Sequence, residues 1–345
     1  MNSDLLNMLV CPACQEACEL SVVKGSPESV IEGYLQCRRC SKKYAVANDV
    51  PFFAPMDSHS GIRSQQDTYS TWWDDYHDED SIVDPVHRAS FHESLALEEG
   101  DLRDKVVLDA GCGNGRFSYV VSQCAPKLLV SFDLSSGLIH AKKTISQRNP
   151  QARVAYVQGD VTHPPFKKES FDVTFSWGVL THTPDARASF SILAALVKMG
   201  GKLGVYVYEF HPLYRYDKQW LSLAAYLRSL FFTEPLRFVC SRLPTKIVQF
   251  MFIPIYYLER LSGVGVTGCH GFADNKWDKE RYFRVVIDRF KTRYASEHQI
   301  EEVLGWFQDN GLDRLKINRY PRISALGTKV ASERLPQLAV QFISK

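Results

Sequence analysis

Two pairs of cysteines near the start of the chain are the first groups that could do chemistry. They read Cys11-Pro12-Ala13-Cys14 and Cys37-Arg38-Arg39-Cys40. Four thiolates at this spacing suit tetrahedral Zn²⁺. Such a site has no open coordination position, so its predicted role is to fold a segment too small to have a core of its own. The nearby Cys18 is predicted to pack against its neighbours and not to bind the metal.

A glycine-rich turn is the second candidate. Val107-Leu108-Asp109-Ala110-Gly111-Cys112-Gly113-Asn114-Gly115-Arg116-Phe117 reads as a strand, a tight turn and the start of a helix. Glycines allow a sharp turn and the close approach of a ligand to the backbone. The dinucleotide pattern is G-x-G-x-x-G, whereas here the third glycine comes one residue early and Arg116 takes the next place. The loop therefore predicts a cofactor other than a dinucleotide, and a turn without a ligand is the alternative for this loop taken alone.

The elements around this turn predict an α/β fold. Short, continuous apolar runs alternate with helical stretches, as in a doubly wound, mostly parallel sheet. After an insertion, an amphipathic helix is predicted over Glu297 to Asn310, followed by strands near Leu315–Arg319 and Ile323–Gly327. The five strands predicted before the insertion begin at Val106, Leu128, Val154, Phe171 and Leu203.

Further signatures follow the later strands in order. Asp133 ends the second strand, Val157-Gln158-Gly159-Asp160-Val161 ends the third, and Ser176-Trp177-Gly178-Val179 follows the fourth. Together with the D-x-G-x-G-x-G loop they resemble class I, S-adenosylmethionine-dependent methyltransferases. The similarity is closest to the broad group that includes the ubiquinone and menaquinone biosynthesis enzymes, and it spans roughly residues 105–210. It implies a Rossmann-like sheet and S-adenosylmethionine as cofactor.

The resemblance also implies site residues. Asp109 would lie near the ammonium group of the cofactor, Asp133 would hold the ribose and Asp160 the adenine amino group. The segment of Tyr69 and Trp72 resembles a helix that covers the cofactor, and packing of these aromatics on the sheet is the alternative. The other implied cofactor contacts are Gly111, Gly113, Gly115, Leu134, Val161 and Trp177.

His182 is the first candidate for a catalytic base. The loop after the fourth strand faces the methyl donor in similar proteins, and an oxygen nucleophile usually needs a base. A structural residue before a helix that starts near Thr183-Pro184 is the alternative. Tyr208, Glu209 and His211 are weaker candidates. The sequence after the fourth strand lacks the N/D-P-P-Y/F signature of enzymes that methylate adenine or glutamine, which argues against that class.

Three regions are predicted. Residues 1–55 form a zinc-ribbon module, residues 56–104 a linker with cofactor-covering helices, and residues 105–345 a methyltransferase domain with a helical lid insertion at 212–290. The module resembles the small zinc-ribbon activator subunit of tRNA, rRNA and release-factor methyltransferases. An RNA or protein substrate is therefore the alternative to a bulky or hydrophobic small molecule.

Composition favours the small molecule. The chain has 345 residues, a formal net charge of +2, 45% hydrophobic and 23% charged residues, which is ordinary globular composition without the basic excess of a nucleic-acid binder. No signal peptide is visible, and the longest apolar run, Ile247 to Leu258, is too short to span a membrane. The sequence thus predicts a cytoplasmic enzyme that methylates an oxygen atom in natural-product, lipid, quinone or glycan metabolism.

Overall fold

The structure is a computed structural model that describes residues 3–26, 29–53, 60–75, 79–209, 231, 233–262, 279–318, 323–331 and 340–342. The chain divides into two compact units. The first comprises residues 1–58, 77–209 and 296–345, and the second comprises residues 59–76 and 210–295. Within the predicted lid insertion, residues 212–230, 232 and 263–278 lie outside the described residues, as does the candidate base His211. The three predicted boundaries stay predictions.

The N-terminal part of the first unit is a short helix, α1 (Ser3–Met8), and an antiparallel sheet. Within the described residues its strands follow the order β1 (Cys18–Ser26), β2 (Ser29–Cys37), β3 (Lys43–Ala47) and β4 (Val50–Pro51). The first cysteine pair precedes β1 and the second begins at the end of β2. Because Cys18 pairs with Cys37 in the ladder, the two knuckles lie at the same end of this sheet.

The larger sheet confirms the predicted α/β class. Its order within the described residues is β12-β10-β11-β9-β8-β5-β6-β7. Strands β7, β6, β5, β8 and β9 are mutually parallel, and β11 is antiparallel to β9. The chain reverses its direction of winding at β5, and ligands of such sheets bind beyond the carboxyl ends of the strands at this point. The strands are β5 (Val106–Ala110), β6 (Leu128–Asp133), β7 (Val154–Gln158), β8 (Phe171–Trp177), β9 (Val197–Val207), β10 (Leu312–Asn318), β11 (Ile323–Lys329) and β12 (Val340–Phe342).

Helices of the first unit connect these strands. The C-terminal helix, α12 (Ile300–Asp309), begins three residues later than predicted, and β9 begins at Val197, six residues before its predicted start. Strand β9 includes the glycine pair at 200–201, and the register of β9 against β8 shifts at this point. The edge strand β12 is short and was not predicted. The other helices are α3 (Glu79–Ile82), α4 (Val86–Leu95), α5 (Glu99–Leu102), α6 (Arg116–Ser122), α7 (Gly137–Arg148) and α8 (Ala186–Leu196).

The second unit is helical. It contains α2 (Ser60–Asp75), α9 (Glu234–Cys240), α10 (Thr245–Ser262) and α11 (Lys279–Val286), which continues as a π-helical turn over Ile287–Lys291. It has its own apolar core, which buries Phe252 and Tyr256, whereas Phe231 and Phe250 are exposed. Among the described residues, none of the helices has the length and apolar character needed to cross a membrane.

The N-terminal module and the parallel sheet share one apolar core. Leu5, Leu9 and Phe53 of the module belong to the same buried cluster as Phe132 and Phe166 of the larger domain. The backbone N–H of Val10 donates to the carbonyl of Pro165 at 2.9 Å, and that of Phe53 to the carbonyl of Gln158 at 2.8 Å. Gln158 is the last residue of the edge strand β7. The module is therefore packed against this edge of the sheet. The third predicted cofactor carboxylate, Asp160, lies two residues after Gln158.

Candidate cofactor site and catalytic groups

The glycine-rich loop leaves β5 and turns back over β6. The N–H of Gly111 donates to the carbonyl of Phe132 at 2.7 Å. Gly111 and Gly115 have φ of +95° and +87°, which L-residues rarely adopt. A Cβ at Gly111 would lie 2.2 Å from Val179 Cγ2, and one at Gly115 would lie 2.4 Å from Ala141 Cβ. Packing therefore requires both glycines, Gly111 against the loop after β8 and Gly115 against α7, whatever their role toward a cofactor.

We expect Gly111→Ala to lower the free energy of unfolding by about 3 kcal/mol, because it adds a steric clash to a strained φ. Gly178→Ala is the matched control, since Gly178 has φ +69° and open space around its Cβ. There the expected cost is about 1 kcal/mol, from the left-handed backbone alone. Urea unfolding of both variants measures the difference, and equal losses would contradict the packing requirement.

Asp133 joins the end of β6 to the loop. Its Oδ2 accepts from the N–H of Gly113 at 2.7 Å, and its Oδ1 accepts from the N–H of Ser135 at 2.7 Å and from Ser135 Oγ at 2.6 Å. Burial raises the pKa of Asp133 above its ordinary value. The next residue, Leu134, is held through its carbonyl by Gln158 Nε2 at 3.0 Å. The predicted ribose carboxylate is therefore fixed in orientation before any ligand binds.

Asp160 presents an unsatisfied acceptor. Its Oδ1 accepts from the N–H of Thr162 at 2.9 Å, whereas its buried Oδ2 has no hydrogen-bond partner in the described part of the chain. Buried polar atoms are nearly always hydrogen-bonded, so this carboxylate oxygen needs a donor from outside the described chain, either a water molecule or a ligand. The adenine amino group predicted for this position is such a donor. Val161 lies next to it and is buried.

Asp109 lies beneath the loop. Its Oδ2 accepts from Ser118 Oγ at 2.7 Å, and the same hydroxyl lies 2.7 Å from Ser131 Oγ. Burial raises the pKa of Asp109 to about 7. A carboxyl group that titrates near neutrality in this position can respond to a cationic group of a ligand.

Trp177 ends β8 and stays half-buried. Its indole stacks on the ring of Tyr206, with centroids 4.2 Å apart, and its Nε1 donates to Ser94 Oγ at 3.1 Å. His182 is buried in a one-turn 3₁₀ helix, Leu180–His182, and its ring meets that of Tyr208 edge-on at 5.4 Å. The structure thus brings the first predicted base beside one of the weaker candidates.

A histidine that the sequence analysis did not select lies next to these groups. The N–H of His298 donates to the carbonyl of Tyr208 at 2.8 Å, and His298 forms a parallel bridge with Glu209. Its Nδ1 lies 3.1 Å from both carboxylate oxygens of Glu302, and its Nε2 lies 2.8 Å from Ser296 Oγ. The signal in the sequence was a His and a Glu four residues apart at the start of a predicted amphipathic helix.

The predicted covering aromatics belong to the second unit. Tyr69 and Trp72 lie on α2, where their rings stack at 5.4 Å, and Trp72 in turn stacks on Trp73 at 5.3 Å. The hydroxyl of Tyr69 donates to Asp288 Oδ1 at 3.4 Å. Their role toward a cofactor stays a prediction.

The four predicted metal ligands converge. The Sγ atoms of Cys11, Cys14, Cys37 and Cys40 all lie within 4.8 Å of one another. The Cys11–Cys40 and Cys14–Cys37 pairs are 3.6 and 3.4 Å apart, close to the separation of about 3.8 Å expected for thiolates around tetrahedral Zn²⁺. The N–H groups of Arg39 and Cys40 point at Cys37 Sγ, both at 3.4 Å. The set therefore fits a closed four-thiolate site.

Comparison with known proteins agrees with this geometry. Residues 107–201 match the family described as methyltransferase domain. Over 118 residues the chain is 32% identical to a tRNA U34 carboxymethyltransferase of Sulfurimonas denitrificans, covering 34% of this chain and 38% of that protein. It is 25% identical to a demethylmenaquinone methyltransferase of Lactococcus lactis, covering 46% of this chain and 63% of that protein. It is 28% identical to a ubiquinone biosynthesis O-methyltransferase of Coxiella burnetii, covering 35% of this chain and 49% of that protein. The matches thus span less than two thirds of these relatives.

The family match places a methyltransferase domain at residues 107–201, on the parallel sheet that carries the glycine-rich loop and the carboxylates at the strand ends.

Proposed function

We propose that the protein transfers a methyl group from S-adenosylmethionine to an oxygen atom of a small molecule. The observation that carries the proposal is the row of carboxylates at the carboxyl ends of β5 and β6 and just beyond the end of β7. Asp109, Asp133 and Asp160 would meet the ammonium, the ribose and the adenine of the cofactor, and the unpaired Oδ2 of Asp160 fits the last of these. Asp133 is already held by Gly113 and Ser135, so the site is organised in advance.

The chemistry follows from what each side chain can do. When bound, the cofactor supplies an electrophilic methyl group, and the protein mainly positions the acceptor in line with it. An acceptor hydroxyl becomes a better nucleophile when a base takes its proton. We assign this role to His182, on the loop after β8. Burial limits its contact with bulk water, and the Tyr208 ring restricts its orientation.

The four cysteines are proposed to hold a structural Zn²⁺. Four thiolates fill the coordination of the metal, so no position stays open for substrate. Its function would be to stabilise the N-terminal module, whose core is continuous with that of the methyltransferase domain.

Charge pairing at the module favours a small molecule over RNA. Basic side chains of the domain that face the module are already engaged by it. Lys142 pairs with Asp49, Arg153 Nη2 lies 2.7 Å from Asp4 Oδ2, and Lys167 Nζ donates to the Asn7 carbonyl at 2.7 Å. Each of these contacts uses a cation that a phosphate would otherwise bind, and phosphate contacts dominate the affinity of RNA-binding surfaces. Because the relatives include a tRNA-modifying enzyme, RNA remains the second candidate.

The decisive experiment follows labelled methyl from the cofactor into total RNA, total protein and a small-molecule extract of the native source. Label in the small-molecule fraction alone is the expected result, and label in RNA or protein would overturn the proposed acceptor class. His182→Gln should reduce the label transferred and leave the affinity for S-adenosylhomocysteine unchanged. His140→Gln, on α7, is the matched control for this variant.

We also expect cofactor binding to depend on pH. Burial holds the pKa of Asp109 near 7, above its ordinary 3.8, so the carboxyl is largely protonated below pH 7. The ammonium of the ligand favours the ionised form, and the affinity for S-adenosylhomocysteine should therefore rise with pH up to about pH 8, by at most about tenfold per unit.

Calorimetric titration between pH 5.5 and 8.5 measures this dependence. Asp109→Asn should abolish the rise, because the amide does not titrate. The same slope in wild type and variant would show that another group is responsible.

A further inference from the structure

Helix α10 of the second unit is apolar on two opposite sides. Its inner side buries Val248, Phe252 and Tyr256 in the core of that unit. Its outer side carries a second apolar stripe, roughly 100° wide on the helical wheel. This stripe, called the apolar face below, consists of exposed residues: Ile247, Phe250, Pro254, Tyr257, Leu258 and Leu261. A globular domain needs only one such stripe on a helix to form its core, so the outer one calls for a different explanation.

The side chains of the apolar face are large and open to solvent. Phe250 is 73% exposed, Leu258 66% and Leu261 84%. Phe231 and Phe238, which belong to the same unit, are also exposed. Single exposed apolar residues are common on protein surfaces, whereas a cluster of them marks a contact surface. The apolar face is therefore a candidate site of interaction.

The exposed charges beside the apolar face are basic. Lys246 and Arg260 lie along one border of the face and are exposed. Arg242, just before the helix, is exposed as well, and its guanidinium carbon lies 3.5 Å from the centre of the Phe238 ring. Within the part of the chain that the structure describes, none of these three cations forms an ion pair. Glu259, the acidic residue of α10, is buried on the inner side, so the outer side combines apolar groups with positive charge.

We propose that the apolar face rests on the surface of a lipid bilayer that contains anionic lipids. The inference is independent of the acceptor proposed above. Aromatic and leucine side chains enter the boundary between the headgroups and the acyl chains, and basic residues next to them attract the lipid phosphates. The long apolar stems of lysine and arginine allow their charged ends to reach the headgroups while the helix lies in the plane of the interface.

The charge pattern favours a bilayer over a second copy of this chain. Two copies that meet about a two-fold axis bring the same surface patch together from both sides. Lys246 and Arg260 would then approach their own counterparts, and like charges in such a contact oppose binding. Helix α10 has no exposed carboxylate to compensate them. An anionic lipid surface supplies negative charge without requiring a fixed geometry.

Flotation of the purified full-length chain with lipid vesicles tests the proposal. We expect binding to vesicles of phosphatidylcholine mixed with phosphatidylglycerol. Binding to phosphatidylcholine alone should be weaker, because its surface lacks net negative charge. High salt should weaken the binding to the anionic vesicles, because it screens the attraction of the basic groups. A wild-type chain that binds neither kind of vesicle would overturn the inference.

Two double variants separate the apolar contribution from the electrostatic one. Phe250→Ser combined with Leu258→Ser should weaken binding to the anionic vesicles by at least about tenfold, because two large apolar side chains are lost from the interface. Lys246→Gln combined with Arg260→Gln should weaken it by roughly 25-fold, since each basic residue near an anionic surface contributes about fivefold. The second variant should also lose most of the dependence on salt.

Ile139→Ser and Lys168→Gln are the matched controls, because both side chains are exposed and both lie in the first unit. They should bind vesicles as the wild type does. Since the replaced residues are exposed, all variants should melt close to the wild type. A much lower melting temperature of the Phe250 variant would mean that the chain itself covers the face. A lipid-free dimer that this variant dissociates, measured by sedimentation, would assign the face to a second copy. Either result would overturn the inference, as would equal vesicle binding by the double variants and the wild type.

Discussion

Replacing Asp160 with Asn should invert the preference of the cofactor site between S-adenosylhomocysteine and its deaminated analogue, S-inosylhomocysteine. The N–H of Thr162 already donates to one carboxylate oxygen of Asp160. In the variant, that position must stay an acceptor, so the amide nitrogen takes the place of the unpaired Oδ2. It would then face the adenine amino group donor to donor, whereas the analogue presents a carbonyl oxygen there.

We expect the variant to lose roughly 2–3 kcal/mol of affinity for S-adenosylhomocysteine, or about 30- to 150-fold, and to gain affinity for the analogue. Calorimetric titration of both ligands measures the inversion. Asp185→Asn is the matched control, since Asp185 caps α8 through Ala188 and Asn caps helices as well as Asp. A variant that weakens both ligands alike would mean that Asp160 only shapes the turn.

Replacing Cys37 with Ser should remove the metal and destabilise the whole first unit. Metal-binding free energy is folding free energy when the site does not exist in the unfolded chain. Cys37 is only 1% exposed and belongs to the same apolar cluster as Phe132 and Phe166 of the parallel sheet. We therefore expect a melting temperature lower by roughly 10 °C or more, and one zinc atom per chain lost.

Cys18→Ser is the control for this variant, because Cys18 lies in the same module but outside the four-thiolate set. It should keep its zinc and melt close to the wild type. Metal analysis and calorimetric melting give both readouts. If Cys37→Ser and Cys18→Ser keep equal zinc and equal stability, the four-thiolate assignment is wrong.

The loss of metal should also reach the adenine turn. Cys11 Sγ lies 3.1 Å from the hydroxyl of Tyr44, whose ring packs on Phe53 at a centroid distance of 4.8 Å. The backbone N–H of Phe53 in turn donates to the carbonyl of Gln158, and a Cβ at Gly159 would lie 3.4 Å from the Cβ of Phe53. Hydrogen exchange in the β7 turn should therefore rise in the Cys37 variant. The module would then stabilise the turn after β7 that carries the predicted adenine contact.

This packing bears on the choice between acceptors. A ribbon that serves as a docking element for RNA needs free basic groups near the cofactor cleft. Here Arg38 pairs with Glu19 and Lys24 with Glu32 within the module. One face of the ribbon is occupied by the sheet edge, and two of its basic side chains are paired with carboxylates. Both features support a structural ribbon and a small-molecule acceptor.

The sequence by itself determined the class of the fold and the main carboxylates. Buried parallel strands are short and continuously apolar, so each of the five was visible in the chain, and the loop between Asp109 and Gly115 is a local pattern. The cysteine pairs are equally local, and the structure brings the four sulfur atoms together as predicted. Such features can be predicted from the sequence because backbone geometry and metal-ligand spacing act over a few residues.

Only the tertiary structure decided which groups meet across the sheet. The stack of Trp177 on Tyr206, the unpaired oxygen of Asp160 and the contact of His298 with Tyr208 join residues that are distant in the chain. The short strand β12 likewise forms only because β10 offers it an edge. Local propensity carries no information about such partners, because side-chain contacts between strands depend on their order in the sheet and on its register.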